Sequence, residues 1–183
     1  MDHGMTADTL QKNALMLSKK IASAGMKNIK MTGDFDIDFA KTMILHHQMA
    51  VDMSQDVLAN GDDLQIRKIA KGIVAVQETE IAEMQLFTQS NEVSKTNLQV
   101  AESEKLNTEM RAMMEKMKSM QMSNNFDKDY VAMMIPHHES AIEMANKQIE
   151  FGTNDGLKAL SKNIVKNQNL EIESFKMWQS KNQ

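Results

Sequence analysis

Apolar residues recur at three- and four-residue spacings through most of this chain, a pattern typical of helices with one buried face. Capping side chains in "TGDFD" and "SNNFD", turns in "ANGDD" and "FGTNDG", and the linker "QSNEVSKTN" interrupt the pattern. These signals predict six helices, at about 6–26, 35–59, 63–90, 95–121, 126–150 and 156–180. With one Pro and few aromatic residues, the sequence predicts an all-α fold.

The helical pattern also occurs twice. A shift of 91 residues superposes apolar, acidic, amide and His positions without a gap. The matched pairs include Phe35/Phe126, Met43/Met134, His46/His137, His47/His138, Gly61/Gly152, Gln77/Gln168 and Glu80/Glu171. Such self-similarity predicts a tandem duplication, with a first repeat at 1–92 and a second at 93–183. Each repeat would contain about three helices, and the two would pack together to cover apolar surface.

Charge and composition exclude several classes of function. A net charge of −4 and a pI near 5.7 leave no basic surface for nucleic acid. No apolar stretch approaches the roughly 20 residues of a membrane span, and "MDHGMTADTL" lacks the features of a signal peptide. Any export signal would therefore have been removed or never existed. Because Cys is absent, the chain has neither disulfides nor thiolate ligands.

Four of the five His residues form two adjacent pairs, each placed between Met residues at matching distances. At about 100° per residue, Met43 lies beside His47, His46 lies with Met53 to one side, and Ala50 falls between them. The second repeat carries the same stripe as Met134, His137, His138 and Met144. Thioether sulfur and imidazole nitrogen favour Cu(I), or Ag(I) as its mimic, over hard cations. Cu(II) is a further candidate.

A second group of Met residues follows one face of the predicted fourth helix, in "MRAMMEKMKSMQM". Its members are Met110, Met113, Met114 and Met117. Met at helical spacing is usually core filler, although cores are more often built from Leu and Ile than from Met alone. The spacing leaves two interpretations open, a metal-binding or metal-transfer stripe and ordinary core packing.

Polar side chains also fall on predicted core-facing stripes, Gln77 and Glu80 in one repeat and Gln168 and Glu171 in the other. Each Glu either accepts a hydrogen bond from a His and fixes its tautomer, or caps a helix or pairs with a buried Lys. The spacing does not decide between these roles. Four further carboxylates are expected to interact with the helix dipole in the first turn of their helices and not to bind metal. They are those of Asp36, Asp38, Asp127 and Asp129.

The segments "FDIDFAKTMILHHQMAVDMS" and "FDKDYVAMMIPHHESAIEMA", followed by "QETEIAEM" or "QNLEIESF", resemble the family of domain of unknown function 305 over about 55 residues per repeat. The resemblance implies a ferritin-like bundle of the four-helix type, in a periplasmic or secreted copper-binding protein linked to copper tolerance. It carries metal-ligand roles to Met43, His46, His47, Met53, Met134, His137, His138 and Met144. Leu45 departs from the family's Pro, which Pro136 retains, so equal metal affinity in the two repeats is not implied.

Enzymatic functions fit less well. A di-iron centre needs Glu-x-x-His pairs, and no Glu precedes these His residues by three positions. We therefore expect a non-enzymatic protein that sequesters Cu(I) or passes it to a copper exporter or another periplasmic copper protein. The alternative is a Met-rich helical module that binds a partner protein without metal.

Overall fold

The computed structural model describes residues 29–94, 98–123 and 125–182, and these ranges contain five helices and no strand. We number them α1 (Phe35–Asn60), α2 (Leu64–Ser90), α3 (Val100–Ser119), α4 (Phe126–Phe151) and α5 (Asp155–Lys181). The all-α class is confirmed, and α1, α2, α4 and α5 begin and end within one residue of their predicted bounds. The helix predicted at 6–26 lies outside the described residues.

Side-chain caps set the starts of four helices. Asp34 accepts a hydrogen bond from the backbone N–H of Ile37 at the start of α1, and Asn125 does the same for Lys128 at the start of α4. Asp63 and Asn154 cap α2 and α5 in the same way. Each pair of caps is separated by 91 residues, so the duplication extends to the signals that begin the helices.

Helix α3 is shorter than the predicted helix at 95–121. Its N-cap, Gln99, makes no side-chain capping bond to the helix. Instead, the Gln99 backbone N–H donates to the Gly33 carbonyl at 2.7 Å, and its side-chain amide donates to the Phe151 carbonyl at 2.7 Å. These long-range bonds tie Gln99 to both repeats, so regular helix begins only at Val100.

Helices α1 and α4 pack against each other at the centre of the bundle. Helix α2 packs along α1, α5 packs along α4, and α3 lies against both α1 and α4. The four helices α1, α2, α4 and α5 thus form a bundle, with α3 covering the seam between its two central members. None of the five helices is long and apolar enough to span a membrane.

Two equivalent carboxylates connect the repeats at opposite ends of the bundle. Asp36, in the first turn of α1, accepts bonds from Gln148 and from the backbone N–H groups of Thr153 and Asn154 at 2.6 to 3.1 Å. Asp127, in the first turn of α4, accepts from the N–H groups of Asp62 and Asp63 at 3.0 and 3.1 Å. Both carboxylates lie in the predicted first turns, but their hydrogen bonds go to the other repeat.

This reciprocal arrangement fixes the directions of the central helices. The start of each lies beside the turn that follows the other, so α1 and α4 are antiparallel. The glycines of those turns are required for close approach, because a Cβ at Gly61 would lie 2.6 Å from the Asp127 carboxylate. The division of the chain into repeats at 92/93 itself remains a prediction.

Candidate metal site

The four His side chains of the two pairs lie together in the seam between α1 and α4. All four are fully buried, with 0% relative exposure. The rings of His46 and His137 contact each other, with centroids 3.8 Å apart and planes inclined by 41°. Within each pair the ring centroids are 6.2 Å apart in the first repeat and 6.0 Å in the second. The fold therefore joins the two pairs into one buried row of imidazoles.

The outer imidazole of each repeat is held by a carboxylate. His47 Nε2 lies 2.8 Å from Glu80 Oε2 on α2, and His138 Nε2 lies 2.8 Å from Glu171 Oε2 on α5. Of the roles that the spacing leaves open for each Glu, the structure shows the hydrogen bond to a His in both repeats. A neutral imidazole that donates from Nε2 to a carboxylate presents the lone pair of its Nδ1. Each Glu therefore orients one ring nitrogen as a potential metal ligand.

Six ring nitrogens have no hydrogen-bond partner in the described part of the protein. They are both nitrogens of His46, both nitrogens of His137, and the Nδ1 atoms of His47 and His138. A buried polar group without a partner costs about 1 to 3 kcal/mol. A metal ion, which binds the lone pair of a neutral imidazole, would offset part of this cost.

The inner imidazoles are also poor bases. Burial holds the pKa of His46 well below its usual range, and the neighbouring imidazoles lower it further. The pKa of His137 is lowered for the same reasons. Both rings are consequently neutral at pH 7, and each carries a lone pair without first having to release a proton.

The Met residues of the two His stripes are buried beside these rings. Because α1 and α4 are antiparallel and His46 faces His137, Met43 and Met144 lie on one side of the imidazole row along the seam. Met53 and Met134 lie on the other side by the same geometry. All four side chains are at most 1% exposed. Each side of the row thus receives one thioether from each repeat.

Ion pairs orient α3 over this seam. Lys147 of α4 pairs with Glu109 of α3, and Lys116 of α3 lies 3.8 Å from Glu139 of α4. The two helices are therefore antiparallel, and the Met-rich face of α3 runs along the Met43 and Met144 side of the row.

The α3 methionines differ in their distance from the imidazoles along the bundle. Met117 adjoins Lys116, which pairs with Glu139, so Met117 lies near the level of His138 along the bundle. Met110 adjoins Glu109, which pairs with Lys147. Lys147 follows His137 by ten residues, or about 15 Å along α4. Met113 and Met114 lie between these levels. The geometry brings Met117 towards the imidazoles and separates Met110 from them.

Within residues 29–94, 98–123 and 125–182, no three His, Asp or Glu side chains are grouped as a metal site. The stripes of α1 and α4 that carry the imidazoles also carry four buried thioethers, those of Met43, Met53, Met134 and Met144. Imidazole with thioether is a donor set that suits Cu(I) and Ag(I). The chemistry of the side chains present therefore fits a soft monovalent ion.

Two contacts of the second repeat had no signal in the sequence. The hydroxyl of Tyr130 is hydrogen-bonded to that of Ser54 across the seam at 2.7 Å, and burial raises the Tyr130 pKa. The ring of Phe175 lies 5.9 Å from that of His138. Both contacts depend on which helices become neighbours, and residue spacing alone does not reveal that.

Fold and site together define a duplicated helical bundle whose seam carries buried imidazoles flanked by thioethers. The family model of the domain of unknown function DUF305 matches residues 2–88 and 36–179. The chain belongs to this family, and the predicted family resemblance is confirmed.

Solved structures give the same fold. CopM in its Ag-bound form is 27% identical, with a TM-score of 0.61, over 83% of this chain and 98% of that one. CopM in its Cu(I)-bound form is 26% identical, with a TM-score of 0.61 and the same coverage. A DUF305 protein of Streptomyces coelicolor, described as secreted, is 25% identical, with a TM-score of 0.61, over 79% of this chain and 91% of its own. A search of curated proteins finds no match.

Proposed function

We propose that this protein binds Cu(I), with Ag(I) as a mimic, at the Met and His side chains of the α1/α4 seam. The observation that carries the proposal is the contact between His46 and His137, buried with four ring nitrogens that have no hydrogen-bond partner within residues 29–94, 98–123 and 125–182. Two neutral imidazoles in contact leave their lone pairs uncompensated, whereas a bound soft ion would use them.

The similar structures support copper as the cargo. CopM, with 26% identity to this chain, has been solved with Cu(I), and the Ag-bound form was also obtained. In this chain we assign ligand roles to the eight seam residues Met43, His46, His47, Met53, Met134, His137, His138 and Met144. The α3 residues Met110, Met113, Met114 and Met117 would extend the site, with Met117 nearest to the imidazoles.

We further propose that the protein sequesters Cu(I), or passes it to an exporter or another copper protein, outside the cytoplasm and so contributes to copper tolerance. Thioether sulfur does not titrate, and a chain without Cys cannot lose ligands to disulfide formation in an oxidising compartment. The secreted assignment of the Streptomyces coelicolor relative agrees with this location. No enzymatic role is needed for such a function.

The alternative, a Met-rich module that grips a partner protein, has less support. Such a surface needs accessible methionines, as in proteins that bind amphipathic helices. The eight methionines assigned to the site are at most 5% exposed. Their thioethers face the interior of the bundle, where an ion can reach them after a small opening and a partner helix cannot.

An anaerobic titration with Cu(I) against a competing chelator tests the proposal. The parent chain is compared with a variant in which His46, His47, His137 and His138 are all changed to Ala. We expect tight binding by the parent and a loss of more than about 100-fold in the variant, because ligand removal should exceed the effect of removing an outer partner. Equal stoichiometry and affinity in both proteins would remove the imidazoles from the site.

A second variant tests the α3 stripe. Changing Met113, Met114 and Met117 to Leu nearly keeps side-chain volume and should cost less than about 1.5 kcal/mol of stability per site. Metal affinity should fall if the thioethers are ligands. Met177→Leu is the control, since Met177 lies on α5 and is 55% exposed. Unchanged affinity in the triple variant would assign the stripe to core packing.

A further inference from the structure

Gln77 on α2 and Gln168 on α5 are equivalent residues with the same unusual environment. Each is only 2% exposed, and neither amide atom of either side chain has a hydrogen-bond partner among the described residues. An amide buried in this way costs about 1 to 3 kcal/mol per unsatisfied group. The chain bears this cost at the same position of both repeats, although Leu or Met would fill the space without it.

The position of these amides relates them to the imidazole row. Gln77 precedes Glu80 by three residues, which places it on the same face of α2, about 4.5 Å along the helix. Glu80 holds the Nε2 of His47 at 2.8 Å, and in the part of the chain that the structure describes the Nδ1 of that ring has no hydrogen-bond partner. Gln168 and Glu171 repeat the arrangement beside His138. Each amide therefore lies within about one helical turn of a His–Glu pair.

We propose that Gln77 and Gln168 belong to the metal sites and that their amide oxygens serve Cu(II), directly or through a water molecule held by the ion. This inference rests on the proposed copper function and deepens it. Carbonyl oxygen is a harder donor than thioether sulfur, and Cu(II) favours nitrogen and oxygen ligands. Cu(I) is held by thioethers and imidazoles, and Cu(II) by imidazoles with these amides.

A purely structural role for the amides makes a different prediction for Cu(II) binding. If they only fill space, Leu at both positions should stabilise the metal-free fold and leave metal binding unchanged. If they serve the oxidised ion, the same change should stabilise the metal-free fold but weaken Cu(II). Residues that function in binding often lower the stability of the fold.

The test uses the full chain and four variants: Gln77→Leu, Gln168→Leu, the double variant, and Gln85→Leu as the control at an exposed position of α2. Cu(II) affinity is measured by chelator competition and the ligand set by electron paramagnetic resonance, whereas Cu(I) affinity is measured anaerobically. The melting temperature of each metal-free protein reports on folding. The single variants preserve the test if the double variant does not fold.

The double variant should bind Cu(II) roughly 10- to 100-fold more weakly, as expected for loss of an outer or weak ligand, while its Cu(I) affinity changes by less than about threefold. Its melting temperature should rise, and its Cu(II) spectrum should change. Unchanged Cu(II) affinity, or an equal loss for both ions, would overturn the inference. A parent chain that binds Cu(I) but not Cu(II) would overturn it too, whereas a parent that binds neither ion would refute the proposed function itself.

Discussion

The two repeats keep the same imidazole, carboxylate and amide groups but differ in some of the side chains around them. Both retain the His pair, the Glu that holds its outer ring and the buried Gln. By contrast, Met49 and Met84 of the first repeat correspond to Ser140 and Phe175 of the second. Buried polar groups that are retained while neighbouring side chains change are not explained by packing alone, because each must be satisfied by a partner. We therefore expect this shared polar set to have the same role in both repeats.

The neighbours that differ give the repeats different chemistry. In the second repeat the Phe175 ring lies 5.9 Å from His138, whereas the equivalent residue of the first repeat is Met84. The Glu80 side chain is 8% exposed and that of Glu171 is 20% exposed, so the first His–Glu pair is also better shielded from water. We therefore expect the first repeat to hold a soft ion more tightly than the second.

The largest effect should come from removing one His pair at a time. The variant His46→Ala/His47→Ala should lose more than about 100-fold in Cu(I) affinity, because it removes ligands and not only their supports. The variant His137→Ala/His138→Ala should lose less, since the repeat with the better-shielded His–Glu pair remains. Anaerobic chelator competition measures both. Equal losses would mean that the neighbouring side chains do not set the affinity.

The next largest effect should come from removing the carboxylates that hydrogen-bond one repeat to the other. Asp36 bonds to three residues of the second repeat, whereas Asp127 accepts only two backbone bonds from the first. Asp36→Ala should cost roughly 2 to 4 kcal/mol of unfolding free energy and Asp127→Ala about 1 to 2 kcal/mol, because each leaves donors that are partly or fully buried without this acceptor. Urea unfolding measures this, with exposed Glu143→Ala as the control. The reverse order would show that bond number does not determine the cost.

A smaller difference is expected at the carboxylates that orient the outer imidazoles. Glu80→Gln keeps the shape of the side chain but can donate to the ring, which weakens selection of the tautomer with a free Nδ1. Cu(I) affinity should fall about 10- to 100-fold for Glu80→Gln and less for Glu171→Gln, whose carboxylate is more exposed. A titration of both variants measures this, and a larger loss at Glu171 would reverse the proposed ranking of the repeats.

The smallest effect concerns pH and the inner imidazoles, where the two repeats should behave alike. Since the pKa values of His46 and His137 are lowered in the folded state, the unfolded chain binds protons first as the pH falls. Stability should be complete above the ordinary imidazole pKa of about 6.5 and should fall below it. The variant His46→Gln/His137→Gln should lose this dependence in urea unfolding. A parent whose stability rises on acidification would contradict the direction of the shift.

Helix bounds, and the residues that share one face of a helix, could be predicted from the sequence. Contacts between helices were predicted less well. Four helix boundaries follow from caps such as Asp34 and Asn125, which act within a few residues of the chain. The face shared by His46 and Met53 follows from helical periodicity, another local property. The start of α3 was misplaced because Gln99 is held by Gly33 and Phe151, contacts that no local signal encodes.

Pairing between helices could be predicted only in part. Periodicity placed Glu80 on a core-facing stripe but could not choose between a His and a Lys as its partner. The duplication indicated equivalent His pairs, yet the contact between His46 and His137 depends on the antiparallel packing of α1 and α4. The hydrogen bonds that Asp36 accepts from Thr153 and Asn154, 117 and 118 positions away in the sequence, also depend on this packing. Such contacts are properties of the assembled core.

Anomalous scattering from crystals soaked with Ag(I) tests the central claim most directly. The metal position is measured independently of any model of the site, and the absorption of silver distinguishes it from water. We predict anomalous density within bonding distance of imidazole nitrogen and Met sulfur at both His pairs, with higher occupancy in the first repeat. Silver found only at surface side chains, with none beside either pair, would contradict a metal site in the seam.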